Sequence, residues 1–439
     1  MDEQIDLVHS FGSAGETNLH PIVLTILVIF LLSLFFIKGR FALIFFTSIA
    51  LLTPFGQLLM LGPIHLPIIR IMILALIAKI FISNEGYAIQ LNRLDKLLII
   101  YLIVGAIAYT LLWGQIGALI NRMGNALVIG GIFFIFRYYL RSHEDIALLI
   151  KAQVIIASII AICMMVEQFT GKNAFYIFGG VPEFTPLREG RLRSQASFGH
   201  PILAGCYGAT LLPLIVSLWW QENSKKWFVI LGIASAAIIV LASASSSPLL
   251  GLIGGIFTLS FWSFRKHLRK VRWGIVVTLI TLQMVMKAPV WALISRVDIV
   301  GGNSADHRYR LIDNYIHHFG EWWFCGIQST SHWGYLMHDT CLEYVDQGVR
   351  GGVFTFALFI AIMVYSFKWV GRSISIEKGN LLLQKQIWAY GCAMFAHLTV
   401  YFGISYFDQT IIDYYILIAI IASVYDISTQ THFVSSIVL

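Results

Sequence analysis

Charged residues are scarce in this chain, and their scarcity excludes most classes of soluble protein. Only 12% of the 439 residues are charged, and 58% are hydrophobic. A soluble domain carries about 25% charged residues. The sequence also lacks a Walker A loop, a regular zinc-ligand spacing, an internal repeat and a low-complexity tract. We therefore expect neither ATP hydrolysis by that route nor a metal or cofactor.

Apolar segments long enough to cross a bilayer recur along most of the chain. They predict an all-α polytopic bundle of twelve or thirteen spans that forms a single integral membrane domain over residues 1–439. The first span is the one whose place in the core is least certain from sequence. The predicted spans are 21–37, 41–59, 67–82, 97–113, 119–137, 150–169, 201–220, 227–243, 248–264, 273–290, 351–367, 386–404 and 409–425.

Basic residues occupy alternate short connections, and this alternation predicts the topology. Lys38, Arg93, Arg137, Lys226 and Arg269 mark connections that the positive-inside rule assigns to the cytoplasm. Both long loops, 170–200 and 291–350, then face the periplasm. The formal charge of +7 is spread over helix ends instead of forming one stripe, so no nucleic-acid partner is expected.

The two long loops are rich in arginine, which suits recognition of phosphate. A guanidinium offers paired donors in one plane and stays charged. Pairing with loop acids or lipid headgroups is the alternative. Against the single Lys172, the loops contain Arg188, Arg191, Arg193, Arg296, Arg308, Arg310 and Arg350.

The larger loop begins with a predicted amphipathic helix from Ser304 to Phe319, in which Asp306 can reach Arg310 at i+4. The arginines of such a helix can extend toward the interface, or Arg308 can point into a cavity above the spans. Trp323 and Trp333 follow. Tryptophans at this depth usually anchor at the membrane interface, and stacking on sugar rings is the alternative.

Three further residues complete the predicted site and its surroundings. His338 lies near the end of the arginine-rich loop, either as a structural residue or as a proton acceptor. Cys325 and Cys341 share that loop, where an oxidising compartment would permit a disulfide whose geometry the sequence does not reveal.

Three elements in the order of the chain resemble the O-antigen ligase and polysaccharide polymerase superfamily. The first is Arg193 followed by Ser197-Phe198-Gly199-His200-Pro201, which is similar to the family's Arg…Phe-Gly-His-Pro-Asn. The second is Arg308, eighteen residues before Gly326. The third runs from His338 to Gly351 and resembles the family's His…Glu-x-Gly element. Ile202 departs from the family's Asn, and the turn Ser245–Pro248 lacks the arginine that many relatives carry there.

The resemblance implies a glycosyltransferase of the bacterial inner membrane with a periplasmic site. Its donor would be an undecaprenyl pyrophosphate-linked glycan, and its acceptor either lipid A–core, as in a ligase, or a second lipid-linked glycan, as in a polymerase. Membrane lipids and a chain-length regulator are the other partners implied. Arg193, Arg308 and His338 would be catalytic. The residues that we expect to bind substrate are Arg191, Arg310, His200, Trp323 and Trp333.

Two other classes of function stay open at this point. A polytopic transporter or lipid-linked glycan flippase would have ionisable residues near the midplane and related halves, whereas here the ionisable residues concentrate in the loops and no repeat is evident. A non-catalytic assembly protein would have little use for so many arginines and histidines. Ligase and polymerase are not separated, because they share the donor site and differ in the acceptor.

Overall fold

The fold is an all-α bundle, known here from a computed structural model that describes residues 17–61, 64–83, 89–222, 224–296 and 304–438. Helices account for 77% of it. The α-helices are α1 (Pro21–Ser33), α2 (Gly39–Leu52), α3 (Ile68–Ile82), α4 (Arg93–Trp113), α5 (Ile116–Tyr139), α6 (His143–Thr170), α7 (Pro201–Ser217), α8 (Lys226–Ala242), α9 (Ser246–Ser260), α10 (Leu268–Val285), α11 (Ser304–His317), α12 (Phe319–Trp322), α13 (Glu343–Ile376), α14 (Leu381–Val400) and α15 (Gln409–Val438).

Seven helical segments of the described chain are long and apolar enough to cross a membrane, which confirms the polytopic prediction. Helices α1, α2 and α8 are apolar but shorter. The seven are Arg93–Trp113, Ile116–Tyr139, His143–Thr170, Pro201–Trp220, Ser246–Val285, Glu343–Ile376 and Gln409–Thr431. A helix overlaps each of the thirteen predicted spans, although several are too short to count among the seven. The first span belongs to the core, because α1 buries Val23, Leu27 and Phe30 along one face.

The second predicted span, 41–59, ends seven residues earlier than expected. Helix α2 stops at Leu52 because Pro54 disfavours the helical conformation in Thr53, which is extended at φ −105° and ψ 132°. A three-stranded sheet follows instead. In it, β2 (Gln57–Leu61) pairs in parallel with β1 (Thr17–Asn18) and antiparallel with β3 (Ile64–Pro67).

The connections between helices gather at two opposite ends of the bundle. At one end, the segment before α7 contacts the α8–α9 turn through Arg193 and Ser245. The α11 helix contacts the same turn through Arg308 and Ser247. We call this the loop end, since both long loops lie there. At the other end, the basic end, Arg137 of α5 pairs with Asp95 and with Asp426.

Helix α7 is the central element, and it starts directly beside the long loops. Most of its residues are buried on all sides. Gly205 and Gly208 allow this close packing, because a Cβ at Gly208 would lie 2.8 Å from the main-chain oxygen of Ala236. The segment that precedes α7 is therefore attached to a buried, closely packed helix.

The larger loop has a small apolar core of its own, separate from that of the bundle. The predicted amphipathic helix forms as α11 and ends at His317, with Leu311 fully buried but Ile316 and Phe319 about half exposed. Its core residues are Leu311, Trp322, Trp333, Met337, Leu342, Val345 and Val349.

The loop is joined to the bundle where α13 is broken. Gly352 has φ 71° and ψ −176°, which interrupts the helix. In an unbroken helix the Val353 N–H would bond to the Val349 carbonyl. Instead, the Val353 N–H donates to the Trp323 carbonyl (2.7 Å), and the Val349 carbonyl accepts from the Ile327 N–H (2.8 Å). The loop thus replaces one helical hydrogen bond with two bonds of its own.

Candidate functional site

Four arginines from both long loops converge on one cavity at the loop end. This arginine cavity has a volume of about 60 Å³. Arg193 and Arg308 are 115 positions apart in the chain (308 − 193), so only the fold brings them together. The cavity is lined by Arg188, Glu189, Arg191, Arg193, Ile202, Ala244, Ser245, Ser246, Ser247 and Arg308.

Arg193 is held from both of its sides. Its N–H donates to the Pro186 carbonyl (2.9 Å), and its Nη2 donates to the Ser245 hydroxyl (2.7 Å). The residues that follow Arg193 are bound to α6. The carboxylate of Glu167 in that helix accepts hydrogen bonds from the main-chain N–H groups of Gln195 (2.7 Å) and Ala196 (2.8 Å). Such a segment keeps the guanidinium at one place relative to the bundle.

Arg308 approaches the same turn from the larger loop. It lies early in α11 and is buried, and its Nη2 donates to the Ser247 hydroxyl (2.9 Å). The turn between α8 and α9 is tight, with Ala244 at φ 43°. Ser245 and Ser247 are thereby presented to the two arginines from a single short segment.

Arg188 and Arg191 face each other in a two-stranded hairpin beside the cavity. Strand β4 (Leu187–Arg188) pairs antiparallel with β5 (Arg191–Leu192), and Arg188 is opposite Arg191. Glu189 (φ 51°) and Gly190 (φ 74°) make the two-residue turn, which requires positive φ at both positions. Like charges directly opposite each other are unfavourable in a sheet, so this arrangement gains from an anion between them.

The electrostatics around the cavity reflect its positive charge. Burial and then the nearby Arg188 lower the pKa of Arg193. Burial, followed by the Arg193 and Arg188 charges, lowers the pKa of His200 to about 4. His200 is therefore neutral near pH 7, and its Nδ1 accepts the N–H of Ile202 (3.1 Å) at the start of α7. Four guanidiniums, one carboxylate and three hydroxyls suit a phosphate or diphosphate ligand.

His338 lies outside the lining of the arginine cavity. Its side chain is exposed, on the segment that leads from the loop core to α13. The preceding residue, Met337, is buried in that core, and its carbonyl accepts the Thr330 hydroxyl (2.6 Å). The structure thus holds the backbone next to His338 while leaving its imidazole accessible from outside.

Three of the other predicted site residues also lie away from the cavity. Arg310 is largely exposed and pairs with Asp306 at 2.8 Å, as its spacing predicts. It follows Arg308 by two residues, and such residues point to different sides of a helix. Trp333 is buried in the loop core, where it donates to Glu321 (3.0 Å) and stacks on His318. Trp323 is about half exposed and packs on Phe324.

A second polar cavity, which the sequence analysis does not predict, lies between α4, α5, α13 and α15. This inner cavity has a volume of about 110 Å³ and includes the side chain of Arg122. One sequence feature could have indicated it. At the start of α13, the i, i+3, i+4 and i+7 spacing places four polar residues on one helix face, namely Glu343, Asp346, Gln347 and Arg350. Its polar lining includes Tyr101, Arg122, Asn125, Glu343, Asp346, Gln347, Arg350, Tyr401, Tyr406, Tyr414 and Tyr415.

The inner cavity differs from the arginine cavity in having its charges partly compensated. Arg350 pairs with Asp346 at 2.8 Å. Gln347 donates to Glu343 (2.7 Å) and accepts the Tyr101 hydroxyl (2.8 Å). Tyrosines, amides and compensated charges suit a polar, nearly neutral ligand better than a polyanion.

Cys325 and Cys341 are both free thiols, so the structure contains no disulfide between them. Cys341 instead lies in a cluster with His307 and Asp339, in which one potential ligand atom from each residue lies within 4.8 Å of the others. Sequence spacing gave no indication of this cluster, because His307 and Asp339 are 32 residues apart.

No model of a known protein family matches the chain, and no characterised protein matches it in sequence.

Proposed function

We propose that the chain transfers a glycan from an undecaprenyl pyrophosphate carrier to an acceptor, and that the arginine cavity binds the carrier's diphosphate. The observation that carries the proposal is the convergence of Arg193 and Arg308 on one cavity together with Arg188 and Arg191. The motif resemblance selects Arg193 and Arg308, Arg191 is expected from the sequence to bind substrate, and Arg188 joins them only in the fold.

The chemistry requires a site that stabilises a leaving diphosphate. As the bond from the anomeric carbon to the diphosphate breaks, negative charge grows on the phosphate oxygens. Guanidiniums already fixed in place favour that charge without reorganising during the reaction. The acceptor hydroxyl attacks directly from the opposite side, so the anomeric configuration inverts. The arginines supply the positive charge that the phosphates need, and the proposal assigns no metal ion to them.

His338 is the proposed proton acceptor for the attacking hydroxyl. Histidine takes up a proton readily near neutral pH, which suits general base catalysis. Its exposed position is compatible with an acceptor that arrives from outside the bundle. The attacking hydroxyl of the acceptor must then lie between the imidazole of His338 and the arginine cavity.

The proposed location is the bacterial inner membrane, with the loop end in the periplasm. It is supported by the basic residues, which cluster in the connections at the opposite end. The proposed donor already carries its diphosphate leaving group, so the reaction requires no nucleotide sugar, which suits a site outside the cytoplasm. Lipid A–core and a second lipid-linked glycan are both acceptors that this proposal admits.

Arg308 provides the most direct test. We expect Arg308→Lys and Arg308→Ala to lower the transfer rate by about 10²–10³, because lysine keeps the charge but not the paired donors. Transfer of lipid-linked glycan would be measured with purified protein in detergent, with protein amount checked by blot. Full activity of Arg308→Ala at a normal protein level would contradict the proposal.

A parallel series of variants tests His338. Loss of a positioned base costs about 10²–10⁴ in rate, so His338→Ala should nearly abolish product while the donor still binds. The exposed His317 and His332 of the same loop are the matched controls. Equal losses in all three alanine variants, or wild-type product from His338→Ala, would remove His338 from the mechanism.

A transporter is the second candidate, and the broken α13 favours it. Interrupted helices beside a polar cavity are typical of transporter binding sites, and the inner cavity lies beside the turn of α13 that ends at Gly352. The detergent assay separates the two functions. A micelle has no two compartments, so product formed there reports catalysis and not transport.

A further inference from the structure

A histidine, an aspartate and a cysteine meet in the larger loop, where the aspartate is exposed and the other two side chains are half-buried. His307 lies in α11, and Asp339 and Cys341 lie on the segment before α13. A ring nitrogen, a carboxylate oxygen and the sulfur all lie within 4.8 Å of one another. The imidazole is also held against this segment by a 3.3 Å hydrogen bond between its Nε2 and the Asp339 main-chain oxygen.

We propose that His307, Asp339 and Cys341 bind a zinc ion that fastens α11 to the segment before α13. Zinc takes imidazole nitrogen, thiolate sulfur and carboxylate oxygen together, at about 2.0–2.3 Å in a tetrahedral arrangement. Movements of roughly an ångström would bring these atoms onto one ion. A hard cation such as Mg²⁺ avoids thiolate, so the donor set selects for zinc.

The local charges allow a cation despite the neighbouring Arg308. Binding releases the thiol proton, so a thiolate and a carboxylate together balance the two charges of the ion. Arg308 follows His307 directly, and consecutive residues of a helix diverge by about 100°. Its guanidinium reaches Ser247 in the arginine cavity. The exposed side of Asp339 leaves a fourth position for water.

The site would position both parts of the proposed machinery without taking part in chemistry. His307 is one residue from Arg308, and Asp339 is one residue from His338. An ion that joins them sets the distance between the diphosphate-binding arginine and the histidine. The inference needs only the cluster itself, so it does not depend on the proposed function.

The experiment measures metal directly in the purified full-length protein. Zinc content is determined by mass spectrometry after purification without chelator. Co²⁺ is then exchanged into the protein, and the near-ultraviolet absorption of a cobalt–thiolate bond is recorded. We expect one zinc ion per chain and a cobalt–thiolate band, both lost in His307→Ala and in Cys341→Ser. The matched controls His317→Ala and His332→Ala should retain both signals.

Three outcomes would overturn the proposal. One is protein without stoichiometric zinc that also fails to bind added Zn²⁺ or Co²⁺. Another is zinc that His317→Ala or His332→Ala removes as readily as His307→Ala, since that is binding by a histidine-rich surface. The third is a Cys325–Cys341 disulfide in the isolated protein. Cys325→Ser distinguishes that bridge from zinc ligation, because it should leave the cobalt–thiolate band unchanged.

Discussion

Two buried arginines at opposite ends of the bundle have very different partners. At the basic end, Arg137 donates to Asp95 through Nε (3.0 Å) and Nη2 (2.8 Å), and Nη2 also lies 2.7 Å from Asp426. At the loop end, Arg193 donates to the hydroxyl of Ser245, and its Nε has no hydrogen-bond partner among the described residues. The two are similarly buried, at 4% and 8% exposure, so burial alone does not distinguish them.

The difference separates structural arginines from binding arginines. Two carboxylates compensate the charge of Arg137, and its Nε and Nη2 join α5 to α4 and α15. A neutral hydroxyl leaves the charge of Arg193 in place, next to the further charge of Arg188. A buried positive charge without compensation is costly unless an anion neutralises it. Arg193 is therefore suited to a ligand, and Arg137 to the fold.

The largest expected effect is on the stability of the bundle. Arg137→Ala leaves Asp95 buried without its partner and should cost about 3–5 kcal/mol. Thermal unfolding in detergent measures it. The control is Arg40→Ala, which removes a half-exposed ion pair with Asp145 (3.6 Å) at the same end and should cost about 1 kcal/mol or less. If both variants unfold at the wild-type temperature, the Asp95–Arg137 cluster is not structural.

Next in size is the effect of Arg193 on transfer. Arg193→Ala should reduce the rate by about 10²–10³ while changing the unfolding temperature far less than Arg137→Ala does. Arg310→Ala is the control, because Arg310 is largely exposed and its only described acid partner is Asp306. If Arg193→Ala lowers the unfolding temperature as much as Arg137→Ala does, Arg193 is a structural arginine. If it transfers glycan at the wild-type rate, Arg193 does not bind the diphosphate.

The third effect is a pH dependence at the loop end. Burial raises the pKa of Asp408 to about 7, whereas an aspartate in an unfolded chain has a pKa of about 3.9. The folded protein therefore binds this proton more tightly than the unfolded chain does. As a result, the free energy of unfolding falls as the pH rises from about 4 to about 7. Asp408→Asn cannot ionise, so it should unfold at a higher temperature than wild type at pH 8.

The advantage of Asp408→Asn should shrink as the pH falls toward 4, and unfolding temperatures over that range measure it. The control is Thr410→Val at a neighbouring buried position, which changes no ionisable group, so its difference from wild type should not vary with pH. Parallel curves for Asp408→Asn and wild type would mean that Asp408 does not ionise within this range. At the loop end, the carboxylate of Asp408 has no hydrogen-bond partner among the described residues. At the basic end, by contrast, Asp95 and Asp426 both pair with Arg137.

The sequence predicts local features well and long-range ones poorly. Hydrophobic periodicity predicts a helix at every span, and the basic connections predict which loops share an end. The Asp306–Arg310 pair also follows from spacing alone. By contrast, the inner cavity depends on how four helices pack, and the break in α13 is decided by contacts with residues about 25 positions earlier in the chain. The position of Arg310 outside the arginine cavity could have been predicted from spacing, because residues 308 and 310 point to different sides of a helix.

The way in which the larger loop joins α13 has a consequence for how its sequence can change. The bonds at Val349 and Val353 come from main-chain atoms, which every loop residue except proline provides. At this junction two glycines are required, Gly326 and Gly352, where a Cβ would collide with the main chain of Val349 and of Phe324. Natural variation or a combinatorial library can therefore change the exposed residues between 329 and 336 without removing these main-chain bonds. The chain could acquire a new acceptor specificity while keeping its diphosphate-binding residues and its scaffold unchanged.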